Sequence, residues 1–202
     1  WDYIKTALEN GKHIVTANKE LLAKKGEELF NLSEKHNRVV LYEAAIAGGI
    51  PLIMPIKTIL AGNKINKIQA ILNGTTNYIL TKMDVDGAGY EDVLAEAQQL
   101  GYAEAEPTGD VEGFDAAYKI TTLATIAFNS RVKFESVYCE GITKIRKEDM
   151  KKADELGYKI KLIASATIDE NNNADVRVHP TLVPKHHMLA HTNFATNAVS
   201  LT

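Results

Sequence analysis

The sequence predicts an α/β fold at its front and an α+β domain behind it. Residues 1–44 alternate as helix, strand, helix and strand, the order of a parallel sheet with crossover helices, as in the later part of a doubly wound sheet. From residue 45 onward, helix and strand patterns follow one another without that alternation. We therefore divide the chain into a first domain, residues 1–44, and a second domain, residues 45–202.

Each element of the first domain has a local signal. Residues 1–11 show a helical pattern that ends at Gly11, a residue type favoured just past helix C-termini. The apolar run KHIVTA predicts a short strand, and RVVLYEAA predicts a second one. Between them, Asn18 is placed to cap a long helical segment that continues to the second strand.

The second domain opens with a glycine-rich turn, and a helix is predicted to start near Pro51. Thr75 or Thr76 is predicted to cap the helix in NGTTNYIL. An almost wholly apolar helix is predicted over residues 113–129. The other periodic segments are the strand NKINKIQAILNG, the helix YEDVLAEAQQLG closed by Gly101, the strand KFESVYCEGI, the solvated helix RKEDMKKADELG, and a hairpin with an Asn-rich turn, YKIKLIASATIDENNNADVRVHPTLVP.

Composition and charge exclude several classes of function. The 202 residues carry a formal net charge of −3 without a basic stripe, so nucleic acid is not an expected partner. No apolar run approaches the roughly 18 residues of a membrane span. The single cysteine excludes an internal disulfide, no signal peptide is present, and both observations favour a cytoplasmic protein. Because the chain starts at Trp1 and stops within a polar segment, we expect a piece of a longer protein.

An acidic segment at the mouth of the apolar helix is the main candidate for chemistry. Asp115 and Lys119 are four residues apart and share one helix face, while Glu104 and Asp110 lie just upstream on a loop with glycine and proline. An exposed pair of this kind is simply an ion pair worth about 0.3–0.5 kcal/mol. In an apolar helix, however, carboxylates can grip a substrate ammonium while a lysine faces a reacting oxygen.

Two further motifs follow predicted strands. Lys19, in TANKE, lies in the first turn of a helix at the carboxyl end of a strand, where ligands of open α/β sheets bind. It is equally well explained as an exposed lysine. Glu43, in EAAIAGGIP, stands at a strand end before two glycines. That motif is either a tight strand-to-helix connection or a carbonyl cage for a hard cation.

Three other patterns are weaker. Residues 87–92, GAGYED, follow a helix and lack a third glycine, so they are not a dinucleotide-binding loop. The three histidines His186, His187 and His191 have no cysteine or acidic ligand nearby in sequence and indicate a polar loop rather than a metal site. Cys139 stands in an alternating strand pattern, which favours a small buried thiol over a nucleophile.

Taken together, the motifs resemble those of the homoserine dehydrogenase family, and the resemblance extends over essentially the whole chain. The segments TANKELLA, YEAAIAGGIPLI, NGTTNYIL and HPTLVP are similar to family segments in the same order, in wording closest to the monofunctional enzymes. The family's signature segment is matched in order and spacing by Ala97, Gly101, Tyr102, Pro107, Asp110, Gly113, Asp115 and Lys119.

The resemblance implies a reaction and a fold. The family interconverts L-homoserine and L-aspartate 4-semialdehyde with NAD or NADP, on the route to threonine, methionine and isoleucine. It implies the tail of a Rossmann-like parallel sheet followed by a mixed-sheet catalytic and dimerisation domain with helices on one face. A homodimer or homotetramer is the implied assembly.

The resemblance also implies roles for individual residues. Lys119 matches the proton donor, and Lys19 matches a lysine that reaches both cofactor and substrate. Asp115 and Glu104, with Asp110 of the same segment, match residues that hold the substrate. A Na+ site is also implied, at Glu43 and at three residues that would contribute only main-chain oxygens: Ile46, Gly48 and Ile50.

The sequence also departs from the family. No GxGxxG is present, so most of the cofactor domain is not included. The family's terminal segment is not included either. Residues 186–197 differ from the sequence that is usual in the family. A non-catalytic regulatory or assembly module that kept the fold is therefore an alternative. A third hypothesis, a thiol-dependent semialdehyde dehydrogenase, needs an activated Cys139. The intact set of lysines and carboxylates favours the enzyme.

Overall fold

The structure, a computed structural model, describes all 202 residues. The helices are α1 (Asp2–Glu9), α2 (Lys19–Lys35), α3 (Ala44–Ala47), α4 (Ile53–Lys57), α5 (Gly74–Asp86), α6 (Tyr90–Gln99), α7 (Thr108–Val111), α8 (Phe114–Ala127) and α9 (Lys147–Glu155), with 3-10 turns at Phe134–Ser136 and Met188–His191. The strands are β1 (Ile14–Val15), β2 (Val40–Leu41), β3 (Lys67–Ile71), β4 (Tyr138–Cys139), β5 (Tyr158–Ile168), β6 (Ala174–Pro184) and β7 (Ala198–Leu201). None of the helices combines the length and the apolar character that crossing a membrane requires.

The front of the chain is a small parallel α/β unit, as predicted. Strands β1 and β2 pair in parallel, with Ile14 opposite Val40. The predicted cap of α2 is confirmed, because the side chain of Asn18 accepts a hydrogen bond from the Leu21 N–H at 2.9 Å. Gly11 has a φ of +74°, which explains why glycine follows α1.

The second unit is built on a five-stranded mixed sheet in the order β4-β6-β5-β3-β7. The predicted hairpin of β5 and β6 is confirmed, and it is antiparallel over its whole length. Strand β4 is parallel to β6 and much shorter than predicted, because residues 134–136 form a 3-10 turn instead of extended chain. The edge strand β7 was not predicted from the sequence.

Helix α8 joins the two units. Its residues Ala117, Ile120 and Leu123 are completely buried, and they belong to a core shared with α2, α5 and the sheet strands. Fully burying a side chain such as Ile120 contributes about 1.5–3 kcal/mol. The predicted apolar helix is thus confirmed, and it places Asp115 and Lys119 where the first unit meets the second.

The predicted cap of α5 was wrong. Asn73, and neither Thr75 nor Thr76, precedes the helix in extended conformation. Its side-chain oxygen accepts hydrogen bonds from the N–H and the hydroxyl of Thr76, at 2.8 and 2.9 Å. A cap residue must lie just outside the helical backbone, and both threonines already lie inside it.

Candidate active site

The carboxylate of Asp115 is the centre of a charged cluster at the start of α8. Only 6% of its side chain is exposed, and its two oxygens contact different lysines. Oδ2 pairs with the Lys119 ammonium at 2.6 Å, and Oδ1 pairs with that of Lys19. The structure therefore brings together three of the residues singled out in the sequence, one of them from the first unit.

Lys119 is held from two sides. Besides Asp115, its ammonium donates to the main-chain carbonyl of Leu72, at 2.8 Å, at the end of β3. Its side chain is 15% exposed, whereas that of Lys19 is 44% exposed. The cluster is thus closed toward the sheet and open toward the side from which Lys19 approaches.

Asn73 ties a second carboxylate into the cluster. Its amide N–H groups donate to Asp110 Oδ1 at 2.7 Å and to Asp115 Oδ2 at 2.9 Å. Sequence reasoning missed this residue. An asparagine directly before Gly-Thr-Thr is a good helix cap, and that part of its role was readable from the sequence. Its contacts with the two carboxylates join chain segments that are far apart in sequence and were not readable.

The pKa values of Asp115 and Lys19 both shift in the direction that favours the charged form, although burial opposes it. Burial by itself raises the pKa of Asp115, but the charge of Lys119 and hydrogen bonds from Asn73, Lys119 and Lys19 outweigh it and lower the pKa below its ordinary value. At Lys19, burial lowers the pKa, and the hydrogen bond and charge of Asp115, with the charges of Asp110 and Glu104, raise it above the ordinary value. The Asp115 carboxylate and the Lys19 ammonium therefore stay ionised.

Glu104 is exposed on the loop before α7 and is not part of an ion pair. Its side chain affects the cluster only through its charge, which contributes to the raised pKa of Lys19. The position nevertheless puts a third carboxylate close to the open side of the cluster.

Glu43 lies apart from this cluster, directly before α3, and its carboxylate reaches the start of α4. Its carboxylate accepts three main-chain hydrogen bonds, from Leu52 at 2.5 Å, Ile53 at 2.8 Å and Met54 at 2.9 Å. These bonds satisfy the free N–H groups of a helix start. The carbonyl oxygens of three nearby residues accept no hydrogen bond: Ile46, Gly48 and Ile50.

The weaker candidates have structural explanations. Burial and the charge of Glu112 raise the pKa of Cys139 to about 11, so its thiol is neutral and unsuited to nucleophilic attack at neutral pH. His187 caps the 3-10 turn by accepting from the Leu189 N–H. No group of three or more His, Cys, Asp or Glu side chains converges as metal ligands would. The glycines of GAGYED connect α5 to α6.

A parallel α/β unit beside a mixed-sheet unit, with a charged cluster at the carboxyl end of a parallel strand, is the arrangement of a ligand-binding α/β protein. Comparison with known proteins agrees. Residues 2–43 match the family model described as homoserine dehydrogenase, NAD binding domain, and residues 51–202 match the model described as homoserine dehydrogenase. The chain therefore belongs to the homoserine dehydrogenase family.

Individual relatives give the same result. The homoserine dehydrogenase of Neisseria gonorrhoeae is 51% identical over 96% of this chain and 44% of its own length. The crystal structure of the enzyme from Thiobacillus denitrificans is 48% identical and superposes with a TM-score of 0.97, covering the whole of this chain and 46% of that one. A hyperthermophilic archaeal homoserine dehydrogenase, solved in complex with NADPH, is 29% identical with a TM-score of 0.84 and covers 100% of this chain and 59% of that one. The chain thus spans about half the length of the curated relatives it matches.

Proposed function

We propose that the protein to which this chain belongs interconverts L-homoserine and L-aspartate 4-semialdehyde with NAD or NADP. The observation that carries the proposal is the Asp115 carboxylate, which bridges a lysine of the nucleotide-binding unit and a lysine of the second unit. A substrate between the two units would meet both ammonium groups. The reaction belongs to the synthesis of threonine, methionine and isoleucine.

A nicotinamide cofactor fits the first unit. Lys19 begins α2 just beyond β1, at the carboxyl end of a parallel strand, and its ammonium is partly exposed. That edge is where nucleotides bind in open α/β sheets. The cofactor, when bound, supplies the hydride in the reductive direction and takes it up in the oxidative direction.

The chain's own residues then handle charge and protons. When the aldehyde carbon of the semialdehyde gains a hydride, its oxygen becomes an alkoxide, and Lys119 is the proposed donor of the proton that completes the alcohol. Asp115 holds that lysine in place through an ion pair at 2.6 Å. Lys19 lies beside the same carboxylate and would face both cofactor and substrate.

The carboxylates of the loop supply the complementary charge. The substrate carries an α-ammonium group, which carboxylates bind. Glu104, Asp110 and Asp115 are proposed to hold it, since the charges of all three act on the partly exposed ammonium of Lys19. This arrangement would orient the substrate with its carbonyl oxygen toward Lys119.

We also propose a Na+ site at the turn after β2. The carbonyl oxygens of Ile46, Gly48 and Ile50 are free of hydrogen bonds and would be ligands for a hard cation. Glu43 would add negative charge, although its oxygens are already engaged by three N–H groups. The site would hold the connection between the two units.

We also propose a domain organisation, an assembly and a compartment for the protein. Residues 1–44 would be the tail of the nucleotide-binding domain, and residues 45–202 the substrate and dimerisation domain. We propose a homodimer or homotetramer, formed through the second domain, in the cytoplasm.

The test is L-homoserine-dependent reduction of NAD+ and NADP+ by the protein expressed from its complete coding sequence. Replacing Lys119 by alanine is expected to lower kcat by about 10²-fold or more, because the proton donor is lost. The matched control is Lys159→Ala, since Lys159 is also a partly buried lysine paired with carboxylates but lies away from the cluster. That variant should keep the wild-type kcat.

Two other results would each contradict part of this proposal. Unchanged kcat in Lys119→Ala would contradict its role and move the proton transfer to Lys19 or to water. An inactive wild type that still binds the cofactor would favour the non-catalytic module.

A further inference from the structure

Asn73 uses every hydrogen-bonding group of its side chain. An amide has two N–H donors and a carbonyl oxygen with two lone pairs. In Asn73 both lone pairs are taken by Thr76, and both N–H groups are directed at carboxylates, Asp110 at 2.7 Å and Asp115 at 2.9 Å. The side chain is also buried, with 5% of the residue exposed. Its position is therefore fixed by four contacts at once.

The direction of the amide is determined by the helix that it caps. Because the main-chain N–H of Thr76 can only donate, the carbonyl oxygen of Asn73 must face it. The amide nitrogen is then left to face Asp110 and Asp115. A flipped amide would set oxygen against two carboxylates and N–H against a donor. The cap and the carboxylate contacts consequently depend on each other.

Asp110 and Asp115 would repel each other without such a bridge. They belong to different helices, α7 and α8, and both carry negative charge. The ammonium groups of Lys19 and Lys119 also reduce this repulsion, but they stand at the ends of long flexible side chains. Asn73 is short, buried and fixed as the cap of α5, so it is the rigid part of the arrangement.

Helix α5 is itself anchored one turn further along. The amide of Asn77 donates to the main-chain carbonyls of Thr192, Phe194 and Thr196, at 3.0, 2.8 and 3.3 Å. Gly74 lies so close to the Ala195 carbonyl that a Cβ atom there would come within 3.1 Å of its oxygen. The start of α5 therefore cannot shift freely.

We propose that Asn73 is a positioning residue, whose amide holds Asp110 and Asp115 as one rigid pair that receives the substrate ammonium. The assignment of the ammonium as the ligand rests on the proposed function, whereas the pairing of the carboxylates does not. The hydrogen bond from Asn73 is also among the contacts that lower the pKa of Asp115, after the charge of Lys119. The groups facing Asp115 are Lys19 from α2, Lys119 from α8, Asn73 before α5, and Asp110 from α7.

The experiment compares Asn73→Ser with Asn73→Asp in the protein expressed from its complete coding sequence. Serine and aspartate both cap helices well, so α5 keeps its start. Serine removes the bridge, and aspartate replaces it with a third carboxylate. We expect KM for L-homoserine to rise roughly ten- to hundred-fold in the serine variant, with a smaller change in kcat, and to rise further in the aspartate variant.

The pH profile separates positioning from a general structural effect. In Asn73→Ser the carboxylate of Asp115 loses the hydrogen bond from the Asn73 amide, so its pKa rises. We therefore expect the acid limb of the pH profile of kcat/KM to move to higher pH. The matched control is Asp149→Ala, which removes a side-chain cap at the start of a different helix, α9, and does not contact the carboxylates. It should lower the melting temperature without moving the acid limb. Unchanged KM and an unmoved acid limb in Asn73→Ser would overturn the proposal.

A carboxylate NMR titration keeps the inference distinct from the proposed function. If the wild type does not oxidise L-homoserine, that function fails, but the titration of Asp115 is still measurable. A higher pKa of Asp115 in Asn73→Ser than in the wild type would support the rigid pair. An equal pKa in both proteins would overturn it.

Discussion

Two carboxylates of this protein each bridge two lysines, in very different surroundings. Asp115 pairs with Lys19 and Lys119 at the junction of the two units, and only 6% of its side chain is exposed. Asp154 pairs with Lys159 at 2.8 Å and with another lysine at 2.7 Å, and 46% of its side chain is exposed. The number of charges and their distances are similar, so burial is the main difference.

A lowered pKa is not by itself a measure of how much an ion pair stabilises the fold. Hydrogen bonds from Lys159 and Lys185 lower the pKa of Asp154 to about 2. Water and salt screen that exposed cluster, so it adds little to stability. At Asp115 burial opposes the charged form, and the partners overcome it. Removing a partner there leaves a charge in a poorly solvated place.

The largest expected effect follows from Asp115→Asn. Two ammonium groups lose their carboxylate, and we expect the free energy of unfolding to fall by about 2 kcal/mol, less than for a fully buried pair because Lys19 is 44% exposed. Activity with L-homoserine should be lost as well. Because the folded-state pKa of Asp115 is lowered, its contribution is present above its ordinary pKa and disappears as pH falls through the folded-state value.

Urea unfolding at neutral pH, with and without added salt, measures this change. We expect the loss to persist in salt, since a buried pair is poorly screened. A loss below about 0.5 kcal/mol, the range of exposed pairs, would break the distinction between the two clusters.

A fifth lysine, Lys161, is buried without a carboxylate partner. Lys161 is 3% exposed, and its ammonium donates only to neutral oxygens. These belong to Asn77, Thr81, Thr192 and Asn193. Burial lowers the pKa of Lys161 to about 8; the charge of Asp84 opposes this, and that of Lys159 adds to it. Lys19, which contacts a carboxylate, shows the opposite shift.

The expected effect of Lys161 is on the pH dependence of stability. Above pH 8 the folded protein releases the proton of Lys161, whereas the unfolded chain keeps it until about 10.5. The unfolded state then binds more protons, so the free energy of unfolding rises with pH over this window. We expect the wild type to gain about 1.5 kcal/mol relative to Lys161→Met between about pH 8 and pH 9.5. Parallel curves for the two proteins, measured by urea unfolding, would contradict the lowered pKa.

The smallest expected effect belongs to Asp154→Asn. Lys159 keeps its contact with Asp84, and the ammonium of Lys185 is 43% exposed and returns to water. We expect no measurable change of melting temperature at physiological salt, and a slight decrease at low salt. Calorimetry at two salt concentrations measures this. A large, salt-independent decrease would show that exposure does not separate the two clusters.

Local signals in the sequence were sufficient for most of the fold. The cap at Asn18, the glycine after α1 and the alternating pattern of the hairpin each act within a few residues, so they are readable without the structure. The pair of Asp115 and Lys119 was found for the same reason, because residues four apart share a helix face.

The rest depended on contacts between distant segments. Asn73 reaches Asp110 and Asp115 only after β3 has joined the sheet beneath α8, and nothing near Asn73 in sequence indicates those partners. Lys161 stands in an apolar strand pattern, and its acceptors come from α5 and from residues 192–193. Strand β7 was missed because its four residues gain their extended form from pairing with β3. Short edge strands have too few residues to show a period.

The place of β3 between β5 and β7 has a consequence for how the protein is made. Lys67 pairs with Thr167 and Gln69 with Ser200, so both neighbours of β3 leave the ribosome long after β3 itself. Until then both edges of the strand are open and are targets for chaperones or for a second nascent chain. Asn73 follows directly after β3, so the charged cluster can assemble only late in synthesis. A prematurely terminated chain would consequently display an unpaired strand and no finished site.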